Sequence, residues 1–167
     1  LCADRGMRHG VRQGSHGFSQ YDVCVSENVT VLPDDVSFDA AALVDCYACG
    51  VHAMNRVPDV AGQSVAIIGA GAIALALGQV LKANHASQVI LIGTREQSVE
   101  LAIAASSADV GVVTANEDVV SAVLAATGGD GVAVTFETVG GQSQLIQQAV
   151  EMTRRGGVVS VLGLFTK

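Results

Sequence analysis

The residues best suited to chemistry in this sequence form the run Gly69-Ala70-Gly71-Ala72-Ile73-Ala74, set between an apolar stretch and a helix-forming one. A phosphate group needs hydrogen-bond donors and room. Gly69 would permit a tight turn and Gly71 would let a pyrophosphate approach the backbone. A helix opening at Ala72 would offer unpaired N–H groups and the positive end of its dipole. Ala74 stands where a third glycine often gives close helix–strand packing, a place the fingerprint lets alanine fill. Alone the spacing is weak. Directly after a strand and followed by further β/α alternation, it points to a dinucleotide site rather than a structural turn.

About twenty residues further on, a carboxylate would accept hydrogen bonds from the ribose hydroxyls of NAD. The sequence has Gly93-Thr94-Arg95 instead. Without the carboxylate a 2′-phosphate meets no repulsion, and Arg95 can pair with it while Thr94 donates. NADP is therefore expected over NAD, with NAD possible. The plainer alternative is that Arg95 opens a solvated helix. Cys46-x-x-Cys49 has the spacing of a redox pair, but no strand leads into it, so two small helix residues are the preferred reading.

The elements that would position these groups follow from the pattern. Residues 1–20 are polar and Gly-rich, with no sustained period. Tyr21–Ser26 and Val29–Leu32 alternate as short strands, and Ser37 is a candidate N-cap for a helix over Phe38–Asn55 that ends near Pro58, a candidate junction. Beyond it come strand and helix in turn: Ser64–Ile68 and Ala72–Ala83; Gln88–Ile92 and Glu96–Ala105; Gly111–Val113 and Glu117–Ala126; Val132–Phe136 and Gln142–Met152; then Val158–Leu164. The runs Val65–Ile68 and Val89–Ile92 are continuously apolar, as central strands covered on both faces should be. An α/β fold follows, a Rossmann-type parallel sheet with helices on both faces.

The 167 residues have room for one domain and part of another, and half of them are apolar with few aromatics and no Trp. A net charge of −7, with no basic cluster beyond Arg5, Arg8, Arg12 and Arg154-Arg155, excludes a nucleic-acid footprint. No apolar run reaches membrane-spanning length and no signal sequence opens the chain. A cytoplasmic protein with free thiols, neither membrane-bound nor bound to nucleic acid, is expected.

Four blocks, in order, resemble the medium-chain dehydrogenase/reductase family in its zinc-type alcohol dehydrogenase branch, threonine/sorbitol dehydrogenase-like. They are Gly17-Phe18-Ser19-Gln20-Tyr21, Leu32-Pro33-Asp34-Asp35-Val36-Ser37-Phe38 with its alanines, the cofactor turn Val65–Leu75, and Arg155–Leu164. The resemblance implies that Ile73 lies under the nicotinamide, that Thr94 and Arg95 face the adenosine ribose, and that Val139 lines the adenine or ribose pocket. The backbone of Leu162–Leu164 would hold the carboxamide. Asp45 would approach a catalytic zinc, Cys49 would stand where some members supply its last ligand, and Cys2 would be one cysteine of a structural zinc loop. The other zinc ligands have no counterpart here.

The expectation is thus a fragment lacking the family's N-terminal and extreme C-terminal parts. Residues 1–46 would be the end of a β-rich, GroES-like catalytic domain, and 47–167 a dinucleotide-binding domain. No complete catalytic set is expected in the chain, and zinc only in a full-length parent. The parent reaction would be alcohol or polyol oxidation, with this chain binding the nicotinamide dinucleotide without turnover and self-associating through uncovered apolar surface. The alternative is a non-catalytic nucleotide-binding or oligomerising remnant. A zinc-free quinone-reductase-like member is disfavoured by Cys2 and Cys49.

Overall fold

The computed structural model describes residues 20, 21, 26, 29–141 and 144–165. They fall into two compact units, Leu1–Ala41 and Ala42–Lys167.

In the first unit the only helix among the described residues is α1 (Phe38–Ala41). Ser37 begins it as expected, its Oγ accepting the Ala40 N–H at 3.2 Å. The strand expected at Tyr21–Ser26 lies outside the described residues except for its two ends. The one expected at Val29–Leu32 does not form. Alternation marks a strand only where a partner ladder exists, and no described residue pairs with this segment.

The second unit holds α2 (Val44–Met54), β1 (Ser64–Ile68), α3 (Ala72–Ala83), β2 (Gln88–Gly93), α4 (Glu96–Ala104), β3 (Val110–Val113), α5 (Val119–Ala126), β4 (Val132–Glu137), α6 (Leu145–Met152) and β5 (Thr153–Val161). The strands form one sheet of order β3-β2-β1-β4-β5, and every pairing is parallel. This is the expected Rossmann arrangement, with β1 at the centre where the strand order reverses.

Successive residues of a strand face opposite sides of the sheet. Val65 and Ile67 of β1, Val89 and Leu91 of β2, and Val134 and Phe136 of β4 pack with Leu77 and Leu81 of α3, Ala53 of α2 and Val99 of α4. Ala66, Ile68, Ile90 and Ile92 face the other way, onto Val123 of α5 and Ala149 and Met152 of α6. Each fully buried Leu, Ile or Phe is worth about 1.5–3 kcal/mol, so the central strands hold the unit together.

Four elements of this part of the chain differ from expectation by more than one residue. The helix over Phe38–Asn55 is two helices. Four-residue α1 buries nothing, whereas α2 packs Gly50 and Ala53, and a helix this short needs packing to persist. Helix α5 starts at Val119 because Asp118 caps it, its Oδ1 accepting the Ser121 N–H at 2.8 Å. Helix α6 starts at Leu145, with Gln142 and Ser143 outside the described residues. The last strand is Thr153–Val161 rather than Val158–Leu164. Five steps along it, Thr153 to Val158, answer two along β4, and it stops where the Leu162 and Gly163 N–H groups both turn to the Glu137 carbonyl, at 2.8 and 3.2 Å.

Two side-chain clamps fix the helices. Lys82 of α3 pairs with Asp109 ahead of β3, and Asp109 Oδ2 also accepts the Val89 N–H at 2.8 Å. Gln79 of α3 accepts the Tyr47 hydroxyl and donates to the Ala105 carbonyl at 2.8 Å, linking α2, α3 and the end of α4. The αβ connections lie at the opposite end of the sheet from the βα turns. Among them Thr127–Gly131 carries three glycines of positive φ, Gly128, Gly129 and Gly131.

Candidate functional site

The βα turns gather at the carboxyl ends of the strands, where a ligand crevice forms in sheets of this kind. The turn after β1 is held by the Gly69 N–H on the Ile92 carbonyl at 2.8 Å, the turn after β4 by the Thr138 N–H on the Ile68 carbonyl at 3.0 Å, and the turn after β3 by the Thr114 N–H on the Gly93 carbonyl at 2.9 Å. Each strand end is therefore tied to its neighbour, which fixes the crevice walls.

Gly69 has φ +121, a value L side chains rarely adopt, and a Cβ there would come within 2.2 Å of Thr138 Oγ1. At Gly71 a Cβ would meet no protein atom within 4 Å. The room beside that backbone opens onto the crevice, a cradle that a side chain would fill. Gly71 is also the N-cap of α3, in extended conformation with no side-chain cap and no acidic residue in the first turn. The first N–H groups of the helix are left without a side-chain acceptor at the positive end of its dipole, an arrangement suited to an anion.

A cleft of about 180 Å³ runs from this turn to the end of β2, with Gly69, Gly71, Thr94, Arg95, Ser98 and Val139 on its walls. Thr94 and Arg95 are exposed, and among the described residues the Arg95 side chain has no hydrogen-bond or ion-pair partner. A second cleft, of about 540 Å³, is lined by Cys49 and His52 of α2, Arg56 just after it, Ile73 of α3, and Ser160 and Leu162.

Seven of the ten expected cofactor positions thus face one cleft or the other. Three do not. Ala72 is exposed at the start of α3 and faces neither. Ala74 is completely buried in the core, where its small side chain allows the helix–strand packing expected of the third glycine. Leu164 is 87% exposed, and its carbonyl already accepts the Gly141 N–H at 2.8 Å.

Among the described residues the metal positions, Asp45 and Cys49, do not form a centre. Asp45 is exposed and Cys49 half-buried. Among the described residues no three of His, Cys, Asp and Glu stand together in a group able to hold a metal ion, and Cys2 lies outside them. Zinc needs three or four ligands, so these two residues do not fit it by themselves.

Three site residues were not anticipated. Ser98 and Thr114 line the first cleft. Thr114 follows a strand on the same side of the switch point, and a hydroxyl in that place is the signal that could have found it. Glu137, fully buried, ends β4. A fully buried carboxylate closing a strand that is apolar but for Thr135 is unusual enough to have been noticed.

Comparison with known proteins agrees with this geometry. Sorbitol dehydrogenase of Bacillus subtilis (strain 168) is 29% identical over 147 residues, which cover 88% of this chain and 41% of that protein. L-threonine 3-dehydrogenase of Saccharopolyspora erythraea is 32% identical over 165 residues, 98% of this chain and 46% of that protein. A zinc-binding dehydrogenase from Sinorhizobium meliloti 1021, solved bound to NADP, superposes with a TM-score of 0.67 at 30% identity over 72% of this chain and 35% of that one. The chain spans less than half the length of these relatives. The family pattern described as zinc-binding dehydrogenase matches residues 72–167, more than half of the sequence, and with the parallel sheet and its glycine turn this shows that the chain belongs to the zinc-binding dehydrogenase family.

Proposed function

We propose that this chain is the nicotinamide-dinucleotide-binding part of an alcohol or polyol dehydrogenase and that it prefers NADP to NAD. The observation that carries the proposal is one cleft joining the uncapped start of α3 to Thr94 and Arg95, with no carboxylate among its walls. In this reading the α3 N-terminus and the Gly69–Gly71 backbone bind the pyrophosphate. Arg95 pairs with the 2′-phosphate, helped by Thr94, and Val139 walls the adenosine side. Ile73 and Leu162 then bound the nicotinamide side, in the second cleft. When bound, the nicotinamide accepts or donates the hydride exchanged with an alcohol carbon.

Residues 1–46 are proposed as part of a catalytic domain and 47–167 as the dinucleotide domain, in a cytoplasmic protein. No described helix is long and apolar enough to cross a membrane. Asp45 and Cys49 are proposed to border a catalytic zinc, and Cys2 to belong to a structural one, only in a parent carrying the remaining ligands. By itself the chain binds cofactor without turnover. The exposed apolar residues Val44, Val51, Val150 and Val161 favour, as the second reading, a non-catalytic nucleotide-binding or oligomerising module.

The test is calorimetric titration of the chain with NADP and with NAD, each with and without zinc. Saturable binding that favours NADP is the expected result. No binding of either dinucleotide would overturn the proposal and leave only the oligomerising module.

A further inference from the structure

One buried acid is not explained by the contacts assigned so far. Glu137 is fully buried at the end of β4, with Oε1 accepting the Val139 N–H at 2.7 Å and the Gly140 N–H at 2.8 Å. Its other oxygen, Oε2, is buried and has no hydrogen-bond partner. Burying a carboxyl oxygen unpaired costs stability that an apolar side chain of the same shape would not. An acid in that position is better explained by what its other atoms hold than by stability.

Those atoms hold two different loops. The carboxyl fastens the Thr138–Gly140 turn, whose Val139 walls the first cleft. The main-chain carbonyl of the same residue accepts the Leu162 and Gly163 N–H groups, and Leu162 walls the second cleft. The loops also meet directly. The Gly141 N–H donates to the Leu164 carbonyl, and a Cβ on Gly163 would come within 2.2 Å of the Gly140 nitrogen and 2.5 Å of Glu137 Oε2.

From this geometry we infer that Glu137 is a positioning residue that joins the two lips of the crevice into one unit, so that the adenosine-side and nicotinamide-side walls keep a fixed separation. The inference rests on the cofactor reading above. A dinucleotide spans both clefts, and a ligand reaching across them binds best when the walls are already in place.

The test uses the full chain with Glu137→Gln and Glu137→Met. Glutamine keeps a carbonyl oxygen for both N–H groups. Methionine keeps the bulk, removes the acceptor and relieves the unpaired oxygen, so its stability need not fall. Amide hydrogen exchange is read first, without ligand. In Glu137→Met it should accelerate by about tenfold or more at Val139 and Gly140 and also at Leu162 and Gly163, whose own acceptor is untouched, while Glu137→Gln stays near the parent. Acceleration confined to Val139 and Gly140, or none, overturns the inference.

NADP titration below the unfolding transition is read second. Glu137→Met should bind about tenfold more weakly, and Glu137→Gln within about threefold of the parent. Parent-like binding by Glu137→Met overturns the positioning role. Failure of the parent to bind any dinucleotide overturns the cofactor reading instead, an outcome kept separate because exchange is measured without ligand.

Discussion

Substituting Gly69 by alanine should destabilise the chain by about 2–3 kcal/mol, in two parts that can be measured separately. Alanine forced to φ +121 costs about 1–2 kcal/mol, the penalty of left-handed backbone for an L residue. The new Cβ falls 2.2 Å from Thr138 Oγ1, so that hydroxyl must rotate and give up its 2.8 Å bond to the Ile68 carbonyl, a further loss of about 1 kcal/mol. Thr138→Ala removes the same bond, and so costs about 1 kcal/mol by itself. In the double variant that bond is lost only once, and the total should fall about 1 kcal/mol short of the sum of the single changes. Urea unfolding of the four proteins supplies the cycle. Additivity within about 0.3 kcal/mol would refute the contact, and a Gly69→Ala variant as stable as the parent would refute the backbone argument as well.

Arg95→Ala should weaken NADP about tenfold while leaving NAD within about twofold, because only the 2′-phosphate loses a charged partner; equal losses for both, by calorimetry, would remove Arg95 from the site. Burial raises the Asp109 pKa, but the Lys82 hydrogen bond, the Val89 N–H and the Lys82 charge outweigh it and hold the carboxyl below its ordinary value. A depressed folded pKa gives stability that is present above the unfolded pKa and is lost as pH falls through the folded one. Asp109→Asn should therefore lower the urea midpoint at neutral pH, modestly because both partners are about a third exposed, and the gap from the parent should close below about pH 4. A gap unchanged down to pH 3 would show that the charge contributes nothing. Val44 and Val51 of α2, Val150 of α6 and Val161 at the free edge of β5 are exposed, so the chain should self-associate with rising concentration; a monodisperse monomer in sedimentation velocity would count against it.

The sheet was legible because its signals are local. The all-apolar runs of β1 and β2 can only be strands covered on both faces, and α3 appears with its expected limits because Gly71 and Asn84 bound a continuous helix-forming stretch. Where boundaries moved, the cause lay elsewhere in the fold. Val29–Leu32 alternates correctly yet has no ladder among the described residues, and Leu162–Leu164, apolar like Val158-Val159 before it, leaves the sheet where the Glu137 carbonyl takes the Leu162 and Gly163 N–H groups. The glycine turn and Arg95 could be placed in one cleft from strand order alone, since parallel neighbours end side by side. Ser98 could not be, because nothing in its spacing sets it apart, whereas Thr114 after β3 and the carboxylate Glu137 at the end of β4 each carried a local signal whose meaning depends on the neighbouring strand ends.

The glycine loop Thr127–Gly131 lies at the other end of β4 from the ligand crevice. Six residues of strand separate the two, about 20 Å, and Asp130 within the loop is exposed and, unlike the glycines around it, has no positive φ. The molecule thus has a natural handle. A dye or surface tether placed there would leave both clefts open and the βα turns undisturbed, and cofactor capture could be followed on immobilised protein.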